Sequence, residues 1–215
     1  MANPDRNAIS AADHERITQA IRSVEKRTSG EVFAVVAQQS DDYFYVAGFM
    51  AGLWSLLLGG VLAVGATLWE TPISLLMLAL AQLASFGVFL LVFKFSPALR
   101  LWFVPRSIAY RRASNNAVRQ FLAHGIHTTE DRSGLLIFVS LAEHYTEIVA
   151  DAGINAHVDQ SQWDAMIGTL VDHAKRGELA DGFVEVIEEA GSLLEKHFPP
   201  QEGQQNELDD RLIEI

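Results

Sequence analysis

The sequence predicts an α/β fold, a sheet covered by helices, interrupted by a two-helix transmembrane hairpin. Three observations carry this reading. An apolar block runs from Tyr43 to Phe93 with a single charge, Glu70, inside it. Helical periodicity precedes the block and resumes after it. Two short apolar runs bounded by turn residues, Glu31 to Ala37 and Leu135 to Leu141, lie on either side of it, and such runs read as buried strands.

The hairpin is the firmest element. No Asp, Glu, Lys or Arg occurs from Tyr43 to Trp69, nor from Thr71 to Phe93. Each run exceeds the roughly 20 residues that span a bilayer core. A soluble helix of this length would carry a polar stripe, and neither run has one. The connector Trp69-Glu70-Thr71-Pro72 suits a tight turn, with the proline at the start of the second helix.

The flanks set the orientation. The tip carries Glu70 and no cation, whereas Lys94, Arg100, Arg106, Arg111 and Arg112 follow the base. The positive-inside bias therefore places both termini in the cytoplasm of an inner-membrane, multi-pass protein. Residues 1–30 lack the basic, apolar and small-residue order of a signal peptide. Tyr43, Tyr45, Trp69 and Trp102 are expected to anchor the hairpin at headgroup level. Gly48, Gly52, Ser55, Gly59 and Ala63 form a small-residue stripe, read either as a packing face for another helix or as ordinary membrane-helix composition.

Composition narrows the function classes. The 215 residues contain no cysteine, which excludes disulfides, thiolate zinc sites and thiol catalysis. The formal charge is -11, and the few cations cluster beside the apolar block. They fit anionic lipid headgroups and argue against nucleic acid as a partner. With the hairpin set aside, the chain suffices for one soluble domain in two pieces, residues 10–42 and 106–199. Residues 1–9 are expected to be a flexible lead-in, 94–105 an interfacial segment and 200–215 a disordered acidic tail.

In chain order, Ser10 caps a helix with Ile17, Ala20, Ile21 and Val24 on one face, ending near Arg27, with Gly30 as its glycine stop. Glu31 to Ala37 is the first strand. After the hairpin, a helix runs from Arg106 to about His124 and stops at Gly125. Residues 128–134 are turn material before the second strand, and Glu143-His144 turns the chain into an antiparallel third strand, Tyr145 to Ala150. Helices over roughly Gln160 to Lys175 and Leu179 to Lys196 complete the domain.

These residues carry a resemblance. Glu25, Thr28, Ser29, Gly30 and Glu31 before the first strand, then Thr129, Arg132 and Gly134, then Asp151-Ala152-Gly153-Ile154, Trp163 and His197-Phe198-Pro199 together resemble the TPM domain family, in its bacterial membrane-protein branch. The resemblance spans residues 10–43 and 106–199. It implies an α/β/α sandwich, with divalent-metal binding and phosphatase activity known in some members. The chain departs from secreted members in lacking a signal peptide and in carrying its membrane helices inside the domain.

The strand order brings Glu31, Thr129, Asp131, Arg132 and Asp151 to one edge of the sheet, the edge away from the membrane. Glu31, Asp131 and Asp151 offer oxygen ligands for Ca2+ or Mg2+, and Arg132 with Thr129 could hold an anion. The alternative is a structural network in which Arg132 ties Glu31 to Asp151. Asp41, Asp42, Glu143 and His144 gather at the other strand ends, as a ligand crevice or as a solvated turn. His124 and His127 read as helix-end residues, since zinc needs three or four ligands. No phosphate loop, nucleophile elbow or His-Glu-x-x-His is present.

The leading functional reading is a membrane-anchored binding or accessory module. It would present a cytoplasmic domain to a membrane-protein partner or to further copies of itself. The alternative is a metal-dependent, phosphatase-like hydrolase. A transporter fits poorly, because Gln82 and Glu70 are the only strongly polar positions of the hairpin.

Overall fold

The computed structural model describes residues 9–129, 131–201 and 207–215. The expected lead-in therefore lies outside the described residues, save Ile9. The chain divides into two compact units, Met1–Ser40 with Arg111–Ile215, and Asp41–Tyr110.

The first unit is the α/β part. Its elements are α1 (Ala11–Glu25), β1 (Glu31–Ala37), most of α5 (Arg106–Ala123), β2 (Gly134–Ser140), β3 (Tyr145–Ala150), α6 (Ala152–Asn155), α7 (Gln160–Arg176), α8 (Leu179–His197) and β4 (Ile213–Glu214). The sheet order is β3-β2-β1-β4. β1 runs parallel to β2, with Glu31 opposite Gly134 and Ala37 opposite Ser140. β3 returns antiparallel beside β2.

Alternation along the strands separates two apolar layers. Val32, Ala34 and Val36 of β1, with Leu135, Ile137 and Val139 of β2, pack with α1, α7 and α8 side chains such as Ile17, Leu170 and Phe183. Phe33, Val35, Ala37, Leu136 and Phe138 pack with Ala117 and Phe121 of α5 and with Ile126. Every β1 and β2 residue is buried. Coverage on both faces explains why these strands read as continuous apolar runs.

Local signals account for the helix boundaries. Ser10 caps α1 through a reciprocal box with Asp13, which satisfies donors that the first turn leaves unpaired. α1 ends at Glu25, before the glycine expected to stop it. Gly30 has another reason to be there: a Cβ on it would meet Leu194 of α8 at 3.0 Å. Gly125 and Gly177 do adopt left-handed backbone, at φ 69° and 79°, and close α5 and α7 as helix-terminal glycines do.

The 200–215 tail is corrected for its described part. Residues 207–215 are not disordered: Leu212 is 3% exposed within the α1-side core, and Ile213 and Leu208 pack on the opposite core. Ile213 and Glu214 pair parallel with Val35 and Val36. The segment's two apolar side chains in succession straddle the sheet as a strand's do. Acidic composition concealed that short pattern.

The second unit contains α2 (Phe44–Leu68), α3 (Leu75–Phe95), α4 (Pro97–Phe103) and the start of α5. Both α2 and α3 are long and apolar enough to cross a membrane. The turn between them is longer than expected, because α3 starts after Ser74, whose side chain accepts from the Met77 N–H, rather than at Pro72. α4 is a short helix within the stretch expected to be interfacial.

The small-residue stripe divides. Ser55 Oγ donates to the Gln82 carbonyl at 2.9 Å and lies 3.0 Å from Ser85 Oγ. A Cβ on Gly59 would come within 2.5 Å of Gln82 Oε1, whereas Gly48 has open space. Ser55 and Gly59 therefore serve close approach of α2 and α3. Of the expected anchors, Tyr45, Trp69 and Trp102 are exposed at 54%, 78% and 76%, but Tyr43 is fully buried. It packs with Val46, Val104 and Ala109, so Tyr43 is a core residue of this unit and not a headgroup anchor.

Candidate functional site

The edge of the sheet where β1 and β2 begin gathers the polar residues that the sequence singles out, but in two separate groups. Glu31, Gly134 and Asp151 lie side by side across three strands, since Glu31 pairs with Gly134 and the Asp151 N–H donates to the Gly134 carbonyl at 2.9 Å. A Cβ at Gly134 would sit 2.2 Å from the Ile126 carbonyl oxygen. The turn at Ile126–Thr128 thus rests on the central glycine. The three carboxylates of the expected cation site are engaged separately, Glu31 by the Glu207 N–H, Asp131 by Gln201 and Asp151 by the Ala152 N–H. Among the described residues no group of three or more His, Cys, Asp or Glu side chains could hold a metal.

The group around Asp151 closes the β2 turn. Asp151 Oδ1 accepts the Ala152 N–H at 2.6 Å, capping α6, and lies 3.7 Å from an Arg132 guanidinium nitrogen. Arg132 itself has left-handed backbone, φ 52°, and its side chain is 63% exposed. Among the described residues it pairs with Asp151 and does not bridge to Glu31. Thr129 Oγ1 accepts the Ser133 N–H at 3.1 Å, and Ser133 Oγ donates to the Ser29 carbonyl at 3.1 Å. Asp131 accepts from Gln201 Nε2 at 2.7 Å. Glu130 lies outside the described residues.

The residues that carry the family resemblance are mostly structural. The Ser29 N–H and Thr28 Oγ1 both donate to the Phe198 carbonyl, at 2.9 and 2.5 Å. They pin the end of α8 to the turn before β1. Gly153 lets the 152–155 helix approach the Arg132 carbonyl, which a Cβ would meet at 2.6 Å.

The second group is an acid pair that the sequence reading took only by half. Glu25, at the end of α1, accepts the Val32 N–H at 3.2 Å, and its carboxyl is electrostatically coupled to that of Glu31. Burial, then the neighbouring Glu31 charge, pushes the Glu25 carboxyl up to about 9. Burial likewise raises Glu31, which is 2% exposed and whose Oε2 is buried without a hydrogen-bond partner among the described residues. At neutral pH Glu25 therefore holds a proton, the usual solution when two carboxylates share a dry site. One signal was available in the sequence: Glu25 follows Ile21 by four residues, which puts it on the buried face of α1.

Residues 207–215 cover this pair. The Glu207 N–H donates to Glu31 Oε1 at 3.4 Å, and Asp210 is held by Arg22 at 2.8 Å. Glu207 and Asp210 raise Glu31 by their charge, and Asp210 also raises Glu25.

The opposite strand ends form a closed network. Ser140 Oγ donates to Glu143 Oε2 at 2.5 Å and lies 2.7 Å from Ser40 Oγ, and the Ser40 N–H donates to Glu143 Oε1 at 3.0 Å. Glu143 is 5% exposed, so it stitches β1 to β2 rather than lining a crevice. In the second unit Asp41 and Asp42 accept the Tyr43 and Phe44 N–H groups and start α2. The His124 ring lies 4.6 Å from that of Phe33, and the His127 ring 6.4 Å from that of Phe121, both tilted; His124 follows the last residue of α5 and His127 lies in the Ile126–Thr128 turn.

The family model described as TPM domain matches residues 97–193. This chain carries a TPM domain. The match leaves out the N-terminal stretch that supplies α1 and β1, which the sheet nevertheless joins to the domain. The structure is similar to the NMR structure of BA42 protein from the psychrophilic bacterium Bizionia argentinensis, with a TM-score of 0.58 and 20% identity over 96% of this chain and 95% of that one. At that identity the likeness is one of fold. No curated protein matches the chain.

Proposed function

We propose that this chain is a membrane-anchored binding module, in which the α2–α3 hairpin crosses the bilayer and the TPM domain is presented on the cytoplasmic side to a protein partner. The observation that carries the reading is the surface of α3. None of its most apolar 18-residue window is buried, and Leu75, Leu76 and Leu83 are 86%, 69% and 68% exposed. A contiguous apolar surface of this length requires an apolar surrounding, and about 20 helical residues match the hydrocarbon thickness. Lys94, Arg100 and Arg106 at one end of the hairpin, against Glu70 at the other, support the cytoplasmic placement of both chain ends. The hydrolase alternative has no ligand set among the described residues.

The chain contains no cysteine, so single-cysteine variants report position directly. The protein should resist alkaline extraction from native membranes and float with liposomes. In spheroplasts, Glu70→Cys should react with a membrane-impermeant maleimide and Lys196→Cys should react only after lysis. Extraction by carbonate, or the reverse labelling pattern, refutes the reading.

A further inference from the structure

We infer that the outer edge of β1 is a docking site for an extended segment of a partner protein that carries a basic residue, and that residues 207–215 of this chain occupy it as a displaceable placeholder. The inference rests on the binding-module reading and gives its partner a chemistry.

The seat is built for a strand. The Gln38 N–H donates to the Ile215 carbonyl at 2.8 Å, and the Ile215 N–H donates to the Val36 carbonyl at 3.0 Å. Leu212 fills the core on one sheet face, and Leu208 and Ile213 pack on the other. Backbone pairing supplies affinity and alternate pockets supply selectivity, as in other strand additions.

The present occupant matches the shape of the seat better than its charge. Glu207 and Asp210 oppose Glu31 by charge and Asp210 also opposes Glu25, while Glu31 has a buried carboxylate oxygen with no hydrogen-bond partner among the described residues. Asp210 pairs with Arg22, itself 56% exposed, and His14 contacts Glu214 farther along at 2.5 Å. A Lys or Arg where Asp210 now lies would replace a like charge by an opposite one beside Glu31, and would offer a donor for Glu31 Oε2, which has none among the described residues. The β4 pairing is two residues long, so exchange of occupants breaks few backbone bonds.

The test uses two fluorescent peptides with the sequence of residues 207–215, one unaltered and one carrying Glu207→Lys and Asp210→Lys. The target is the detergent-solubilised full chain with Leu212→Glu, which empties the seat. The lysine peptide should bind about tenfold more tightly than the unaltered one, the size of one added charge-assisted hydrogen bond. Glu25→Gln with Glu31→Gln in the target should erase that preference. Equal affinities, binding of neither peptide, or a preference that survives the double substitution overturns the inference.

A second measurement needs no mutation. In the unaltered chain the Gln38 amide should exchange with deuterium at least tenfold faster than the β2 amides, through local release of the segment. Exchange of Gln38 only by global unfolding would make residues 207–215 a permanent strand and overturn the inference as well. Liposome flotation reads the anchoring proposal separately, so failure of one does not imitate failure of the other.

Discussion

Raising the pH through neutrality should weaken the TPM domain, because Glu25 takes up a proton on folding. In the unfolded chain Glu25 titrates near 4.5, and in the folded chain at about 9. Between these values the folded state binds a proton that the unfolded state has lost. The contribution to stability is therefore fully present below pH 4.5 and is lost as pH rises through about 9. Linkage sets the slope at no more than about 1.4 kcal/mol per pH unit for one proton, so moving from pH 6 to pH 8 should cost about 2 to 3 kcal/mol. Glu31, also raised by burial, adds a slope of the same sign.

The assay is urea unfolding of the detergent-solubilised chain at a series of pH values, read as loss of hydrogen-exchange protection in β1 and β2. Glu25→Gln retains the shape and removes the titration. Its profile should be flatter than that of the unaltered protein over the same window, and the difference between the two profiles cancels the histidine contributions they share. Parallel profiles, or stability that rises with pH more steeply in the unaltered protein than in the variant, would show that Glu25 is ionised in the fold.

Three further outcomes follow from close contacts. Gly134→Ala would push a methyl into the Ile126 carbonyl at 2.2 Å, and should lower stability by about 1–3 kcal/mol in the same urea assay. Glu143→Ala should leave the Ser140 hydroxyl and the Ser40 N–H without their acceptor at a cost of about 1–3 kcal/mol, and should speed exchange at the ends of β1 and β2 first. Gly59→Leu would drive a side chain into Gln82 and separate α2 from α3. The expected readout is loss of a cross-link between cysteines placed at Gly52 and Phe86, which face one another across the helix pair.

The α/β character, both long apolar helices and the strands β1, β2 and β3 were legible in the sequence, because each rests on a periodicity carried by consecutive residues. Val32, Ala34 and Val36 with Phe33 and Val35 form a short apolar run bounded by turns, the pattern of a strand buried on both faces, and the charge-free runs of α2 and α3 admit few alternatives. Capping was equally local, at Ser10 and at Gly125. The site was not legible, because side-chain convergence depends on register and on what lies between strands. Glu31 and Asp151 share an edge, as topology implies, yet each is held by different neighbours, Glu31 by the Glu207 N–H and Asp151 by the Ala152 N–H. Glu25 reaches Glu31 only once α1 packs on the sheet. Residues 207–215 look like a polar tail until the unpaired edge of β1 gives Leu212 and Ile213 somewhere to go, and only the folded chain supplies that edge.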